Sequence, residues 1–150
     1  MDKKSFLLGL SAILIVVSAF AFMATRSSSG QSITVYKSPT CGCCGGYITY
    51  LKKNNFQVTV VEKTNRTELR EKFHIPADME SCHTSVVNNY VVEGHVPVEA
   101  INKLLAEKPD IDGITLPEMP AGSPGMGGAK SGPWTVYALS KGAKSEFLIK

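Results

Sequence analysis

The stretch that decides the fold is ITVYKSPTCGCC, residues 33–44. Ile33–Tyr36 contains only β-branched and aromatic residues, which predicts a short strand, and the proline-containing segment Lys37–Thr40 predicts a turn. Apolar residues then recur at helical spacing between residues 47 and 56, and Asn54-Asn55 interrupts that pattern. The sequence therefore predicts a strand, a turn and a helix, with three cysteines where the helix begins.

The rest of the chain predicts alternating strands and helices followed by a hairpin. The predicted elements are a strand at Gln57–Val61, a helix from Thr64 that Pro76 ends, a hairpin of Thr84–Val87 and Tyr90–Val92 around Asn88-Asn89, and a helix from about Pro97. Residues 117–133 are rich in proline and glycine and predict a loop, while Trp134–Leu139 and Glu146–Ile149 predict a closing hairpin. The predicted fold is an α/β domain with a βαβαββα core and an added C-terminal β-hairpin.

The first 25 residues have the pattern of a targeting segment. A charged start, Asp2-Lys3-Lys4, precedes Phe6–Ala24, a run without charge or proline. The run is longer than the ~7–15 residues of a cleavable signal core and close to the ~20 that cross a bilayer, so cleavage and anchoring both stay open. We predict a signal peptide or membrane anchor at 1–25, a linker at 26–32, and one domain at 33–150 in the periplasm, touching the membrane only through the N-terminal run.

Charge and motif content exclude several classes of function. The formal net charge is only +3 at pH 7, which gives no electrostatic footprint for nucleic-acid binding. The sequence has no Ser-His-Asp pattern, phosphate-binding glycine loop or pair of catalytic carboxylates, so hydrolase and kinase functions have no support. The chemistry is therefore expected from the cysteines.

The four cysteines predict a soft-metal site. Cys41, Cys43 and Cys44 form a C-x-x-C motif with a third thiol inside it, and the free N–H groups and dipole of a helix start favour thiolates there. Cys82 and His83 stand where the chain enters the third strand, which in a βαβαββα core lies beside the first strand–helix turn. Thiolates select Cu(I) or Zn(II), and five ligands exceed one tetrahedral zinc site. We predict that these five residues bind copper(I) in a multinuclear cluster, with zinc less favoured.

Three further residues are candidates for the same site. Met126 is a candidate ligand and Met119 a secondary one, because exposed loop methionines lack a packing role and their thioethers suit copper outside the cytoplasm. His95 follows a predicted strand and is a secondary candidate, as a ligand or as a hydrogen-bond donor that Glu93 can orient. The alternative interpretations are methionines that cover a core and a histidine that merely occupies a turn.

Two other functions fit parts of the pattern. Cys41 and Cys44 alone have the spacing of a thiol-disulfide oxidoreductase, although such an enzyme gains nothing from a third thiol at Cys43. A passive domain with two structural disulfides is the other alternative. It fits poorly, because adjacent Cys43 and Cys44 cannot easily bridge each other and bridging them to the other two cysteines leaves a tight link.

The cysteine, histidine and methionine motifs together resemble the CopG-type copper-resistance family, exported metal-binding proteins that carry domain of unknown function 411. The resemblance covers residues 33–150 and rests on four motifs in order, Cys41–Cys44, Ser81–Thr84, Glu93–Pro97 and Met119–Met126. It implies a thioredoxin-like fold, periplasmic copper handling for resistance and homeostasis, copper-efflux or copper-chaperone proteins as partners, and a cysteine copper cluster capable of redox cycling.

The sequence departs from that family's pattern at three positions. Tyr47 and Tyr50 stand where tryptophan and histidine are common, and Glu118 stands where glycine is common. The resemblance therefore implies no ligand from the first helix beyond its cysteines.

Overall fold

The computed structural model describes residues 30–150, so the predicted targeting run lies outside the described residues. The strands are β1 Ser32–Lys37, β2 Gln57–Glu62, β3 His83–Val87, β4 Tyr90–Gly94, β5 Gly113–Leu116, β6 Thr135–Ser140 and β7 Ala143–Ile149. The helices are α1 Gly42–Lys53, α2 Thr67–Lys72 and α3 Val98–Glu107, with a 3-10 turn at Ala77–Met79. Across residues 30–150, no helix has both the length and the apolar character needed to cross a membrane.

All seven strands form one mixed sheet in the order β2-β1-β3-β4-β5-β6-β7. β1 runs parallel to β2 with α1 as the connection, and β4 runs parallel to β5 with α3 as the connection. The other neighbouring strands are antiparallel. Asn88, with a φ of 50°, permits the two-residue turn between β3 and β4, and Lys141-Gly142 makes the corresponding turn between β6 and β7.

Helices cover both faces of the sheet. Successive strand residues point to opposite faces, and in β4 Val92 packs in the larger core whereas Val91 packs in the smaller one. The larger core includes Leu51 of α1 and Ile101 of α3. The smaller core includes Phe73, which follows α2. The sheet is therefore the middle layer, with α1 and α3 on one side and the α2 segment on the other.

Most of the predicted elements are confirmed, and two differ. The βαβαββα order, the Asn88-Asn89 turn and the terminal hairpin occur where they were predicted. The first difference is β5, Gly113–Leu116, which was not predicted and which joins the terminal hairpin to the core sheet. The second is α2, which ends at Lys72 instead of continuing to Pro76, because His74 has a left-handed φ of 49°.

Candidate metal centre

The sheet register brings the chemical motifs to one end of the sheet. β3 is antiparallel to β1, and its first residue, His83, pairs with Lys37, the last residue of β1. Cys82 therefore lies beside the turn that leads into α1. β4 is antiparallel to β3 and ends at Gly94, so His95 returns to the same end of the sheet. Three distant stretches of chain thus meet at one place.

The four cysteine sulfurs form one group. Cys82 Sγ lies 3.7 Å from Cys43 Sγ and 3.8 Å from Cys44 Sγ. Cys43 Sγ lies 3.7 Å from Cys41 Sγ, and all four sulfurs lie within 4.8 Å of one another. Two sulfurs bound to one tetrahedral metal ion at ~2.3 Å are about 3.8 Å apart. These three sulfur–sulfur distances therefore fit shared ligation of a soft metal ion.

Three of the four cysteines lie at the start of α1. Cys41 is the N-cap of α1, and Cys43 and Cys44 lie in its first turn. Cys41 and Cys44 form a disulfide, which leaves Cys43 and Cys82 as thiols. Residues 30–150 contain all four cysteines, so the chain has one bridge in this form and not the two of the passive-domain hypothesis. The bridge has the spacing expected of a redox-active dithiol.

Two buried imidazoles lie next to Cys82. Nδ1 of His83 lies 3.3 Å from Cys82 Sγ, and Nε2 of His95 lies 3.4 Å from the same sulfur. Burial, together with the nearby charges of His95 and Arg66, lowers the pKa of His83 to about 3. Burial also lowers the pKa of His95. Both rings are therefore neutral at pH 7 and have a nitrogen lone pair for a metal ion.

Cys82 is the residue that the two ligand groups share. Its sulfur belongs to the four-cysteine group and also to a second group with His83 and His95, in which the ligand atoms lie within 4.8 Å of one another. Burial, together with the neighbouring Cys43 thiol, raises the pKa of Cys82 to about 12. Without a metal ion, Cys82 is thus a protonated thiol, and a bound soft cation takes the place of that proton.

The two tyrosines of α1 bind backbone groups around the start of α3. The ring of Tyr47 packs 4.6 Å from the ring of His83 and 5.2 Å from that of His95, measured between centroids. Its hydroxyl donates to the Val96 carbonyl at 2.9 Å. The hydroxyl of Tyr50 accepts a hydrogen bond from the Val98 N–H at 2.9 Å. Tyr47 thus fills the space behind both imidazoles and fixes their packing.

The loop at residues 117–133 fixes the orientation of His95. The Pro124 carbonyl accepts a hydrogen bond from Nδ1 of His95 at 2.7 Å. A carbonyl can only accept, so the proton is on Nδ1 and the lone pair is on Nε2, the nitrogen next to Cys82. The sequence analysis gave this orienting role to Glu93, and that assignment was wrong, because the Glu93 carboxylate bonds to the Ser81 N–H.

The two candidate methionines belong to the same loop. Gly125, which precedes Met126, packs directly on Gly46 of α1, so the backbone of Met126 lies next to the cysteine helix. Met119 has a left-handed φ of 48°, and Glu118 before it has a φ of 65°. Glycine adopts this conformation most readily, which explains why glycine is the expected residue at position 118. Copper ligation by the two methionines stays a prediction.

Arg66 is a site residue that the sequence analysis missed. Its side chain is buried and donates to the carbonyls of Cys82 and Ser81, each at 2.8 Å. Glu93 is also buried and accepts from the Ser81 N–H at 2.7 Å. An arginine before a short helix gives no local signal of such a role, because its partners lie 15 and 16 positions further along the chain.

Fold and site together define a class of protein, a small mixed α/β protein in which a C-x-x-C helix start, a distant cysteine and two histidines can hold a soft metal ion. Residues 79–126 match the family model described as Protein of unknown function, DUF411. Two solved structures, copper resistance protein copG in Form 1 and in Form 2, each match with a TM-score of 0.74 and 36% identity, over 81% of this chain and 98% of the other. No curated protein sequence matches at a significant level.

The chain belongs to the CopG-type copper-resistance family. The segment that matches the family model includes Cys82, His83, His95 and both loop methionines. The structural match extends over most of the described residues. The predicted family membership is therefore confirmed.

Proposed function

We propose that this chain is an exported copper(I)-binding protein that serves copper resistance and homeostasis by holding copper in a thiolate-rich, multinuclear site. One observation carries the proposal. Cys82 Sγ lies within 3.8 Å of two other cysteine sulfurs and within 3.4 Å of two imidazole nitrogens. The names of the two structural relatives, both copper resistance proteins, support copper as the metal.

The donor set supports copper(I) over other cations. Thiolates and imidazoles favour Cu(I) and Zn(II) over hard cations such as magnesium or calcium. The two groups offer six donors in total, more than one tetrahedral zinc ion takes, and Cys82 is common to both. A thiolate shared by two groups can bridge two metal ions. We therefore expect more than one copper per chain, with Cys82 as a bridging ligand and with Met126 and Met119 as additional thioether donors.

The proposed setting is the periplasm, and the proposed architecture of the core is thioredoxin-like. Export is supported by the uncharged run Phe6–Ala24 behind a charged start. A thioredoxin-like core is supported by the strand order β2-β1-β3-β4 and by the C-x-x-C motif at the end of β1. In the periplasm, copper-efflux or copper-chaperone proteins would deliver or remove the metal.

An anaerobic Cu(I) titration of the fully reduced protein tests this function. We expect more than one equivalent of copper to bind, with sulfur and nitrogen neighbours in the X-ray absorption spectrum. Cys43→Ser is expected to bind less copper, because it removes a sulfur 3.7 Å from two of the others. A titration without uptake, with all thiols still reactive towards a thiol reagent, would rule the proposal out.

A thiol-disulfide oxidoreductase is the second candidate, favoured by the Cys41–Cys44 disulfide at the start of α1. Thiolates at a helix start are nucleophilic, and the C-x-x-C spacing suits exchange through a mixed disulfide. The same Cys43→Ser variant separates the two candidates. Unchanged copper content together with strong reduction of insulin disulfides would favour the oxidoreductase.

The two functions can also combine at one site. Oxidation of the Cys41 and Cys44 thiols to a disulfide releases two electrons and two protons, and reduction of two Cu(II) ions to Cu(I) takes up those two electrons. The dithiol and the metal ligands are the same residues, so a change in copper oxidation state would also change the number of sulfur ligands.

A further inference from the structure

Two buried ionisable side chains, Arg66 and Glu93, form hydrogen bonds with the main chain of Ser81-Cys82. Nη2 of Arg66 donates to the Ser81 carbonyl and Nη1 donates to the Cys82 carbonyl, each at 2.8 Å. Oε1 of Glu93 accepts from the Ser81 N–H at 2.7 Å. Three backbone groups of one dipeptide are thus fixed by side chains that lie far away in the sequence.

The sheet itself does not supply these contacts. β3 begins at His83, and its registers with β1 and β4 do not include Ser81 or Cys82. The backbone of Cys82 therefore takes its position from the Arg66 and Glu93 side chains. Since Cys82 Sγ is the atom that both ligand groups share, a shift of this dipeptide would change the distances in both groups at once.

Arg66 also brings a positive charge that is not matched by a direct ion pair. Its side chain is 7% exposed, and no carboxylate forms an ion pair with it in the described part of the chain. The buried Glu93 carboxyl, which binds the same dipeptide, offsets this charge without a direct ion pair, and further negative charge close by would stabilise the guanidinium. Several thiolates around Cys82 would supply that charge when a metal ion binds, and the guanidinium is hydrogen-bonded to the carbonyl of Cys82 itself.

We propose that Arg66 is the positioning residue and the buried counter-charge of the metal centre, holding Cys82 between the C-x-x-C turn and the two histidines. This inference rests on the proposed copper(I) function. The positioning role and the counter-charge role of Arg66 depend on different chemistry. The planar fork of arginine fixes two carbonyls at once, which lysine cannot reproduce, whereas the positive charge is common to arginine and lysine.

Two substitutions at Arg66 and one control test the proposal. Arg66→Met removes the charge and both hydrogen bonds, and Arg66→Lys keeps the charge. Arg70→Met is the matched control, because Arg70 lies on the adjoining helix α2 and pairs with the half-buried Glu80 at 2.9 Å instead of with the Cys82 segment. All three reduced proteins compete for Cu(I) with a chromogenic Cu(I) chelator, and their metal-free forms are unfolded thermally.

We expect Arg66→Met to lower the Cu(I) affinity by about ten- to a hundredfold, as expected for loss of hydrogen bonds to a charged donor. Arg66→Lys should recover part of that loss, and Arg70→Met should stay within about twofold of the parent protein. Recovery by lysine is a response that a purely structural role would not give. If Arg66→Met does not fold, the Cu(I) affinity of Arg66→Lys is compared with that of Arg70→Met instead.

Three results would overturn the inference, and they are distinguishable. Parent-like Cu(I) affinity in Arg66→Met would remove the role of Arg66 and leave the copper function intact. An equal loss of affinity in Arg70→Met would show that the effect comes from stability of the α2 segment. Absence of Cu(I) binding by the parent protein would overturn the proposed function, and this inference with it.

Discussion

At the scale of single residues, Glu93 is a buried carboxyl whose ionisation changes on folding. Burial raises its pKa from an ordinary 4.5 to about 7, although the charge of Arg66 acts in the opposite direction. A carboxyl whose pKa is raised in the folded state favours the protonated folded form. Between pH 4.5 and 7 the unfolded chain ionises first, so the contribution of Glu93 to stability falls as the pH rises through that window.

We predict that Glu93→Gln removes this dependence. A glutamine oxygen can still accept the Ser81 N–H, so the hydrogen bond at 2.7 Å has a replacement. Relative to the parent, the metal-free variant should gain about 3 kcal/mol of unfolding free energy between pH 4.5 and 7, because one pKa unit corresponds to about 1.4 kcal/mol. Urea unfolding at several pH values measures the difference. Both proteins contain the buried histidines, so the contribution of these residues to the pH dependence cancels in the difference.

Glu99→Gln is a suitable control at this scale. The hydrogen bond from Lys150 lowers the pKa of Glu99, so this carboxylate contributes stability above its unfolded pKa and loses it as the pH falls. Its substitution should change the pH profile in the opposite direction to Glu93→Gln. Parallel profiles for Glu93→Gln and the parent would mean that folding does not raise the pKa of Glu93.

At the scale of elements, a glycine contact attaches the loop at residues 117–133 to α1. A Cβ on Gly46 would lie 2.5 Å from the Gly125 carbonyl oxygen, whereas a Cβ on the preceding Gly45 would meet nothing within 4 Å. Gly125 itself has a φ of 79°. The same loop carries the Pro124 carbonyl that orients His95 at 2.7 Å. Close approach of loop and helix is therefore part of the metal site.

We predict opposite effects for alanine at two adjacent positions of α1. Gly46→Ala should lower the unfolding free energy by about 1–3 kcal/mol through overpacking against the loop, and should weaken Cu(I) binding because the Pro124 carbonyl moves away from His95. Gly45→Ala should raise the unfolding free energy by about 0.5–1 kcal/mol, since alanine is the better helix former at an open site. Denaturant unfolding and Cu(I) competition measure both. Equal stability of Gly46→Ala and Gly45→Ala would contradict the close contact between Gly46 and the Gly125 carbonyl.

Elements with local signals could be predicted from the sequence, and elements that depend on distant contacts could not. The β3–β4 hairpin was predicted because Asn88-Asn89 specifies the turn within four residues. β5 has only the four residues Gly113–Leu116, too few for any periodicity, and it becomes a strand because β4 and β6 lie on either side of it. Arg66 was missed for the same reason, since the partners of its side chain are 15 and 16 residues away.

The candidate site also has features that could be predicted from the sequence and features that could not. The cysteines and histidines could be predicted because thiols and imidazoles show their chemistry by residue type alone. Their orientation could not be predicted. Glu93 is near His95 in sequence and was assigned to it, yet the register of β3 and β4 pairs Glu93 with Thr84 and turns its carboxylate towards the Ser81 N–H. Sequence proximity is a weak guide to contacts at strand ends, because successive residues point to opposite faces.

At the scale of the whole molecule, the sheet order brings the Cys41–Cys44 disulfide and the candidate metal site together. The turn after β1 leads to Cys41 and Cys44, and Cys82 directly precedes β3, the neighbouring strand, with its sulfur 3.8 Å from the disulfide sulfur of Cys44. A cysteine in a disulfide is a poor ligand for copper(I), because the thiolate is the species that binds. In the disulfide form, Cys43 and Cys82 are the two remaining thiols.

We predict that oxidation state sets the copper capacity. The oxidised protein should show two reactive thiols and bind less Cu(I) than the reduced protein, which should show four; thiol counting and anaerobic titration before and after reduction measure this. Cys41→Ser is the comparison, since it cannot form the Cys41–Cys44 bridge and its capacity should change less than that of the parent between mild oxidant and reductant. If the oxidised and reduced parent proteins bind equal amounts of copper, the disulfide does not affect the metal site. Copper would then depend on Cys43, Cys82 and the two histidines, and the C-x-x-C pair would act only in thiol exchange.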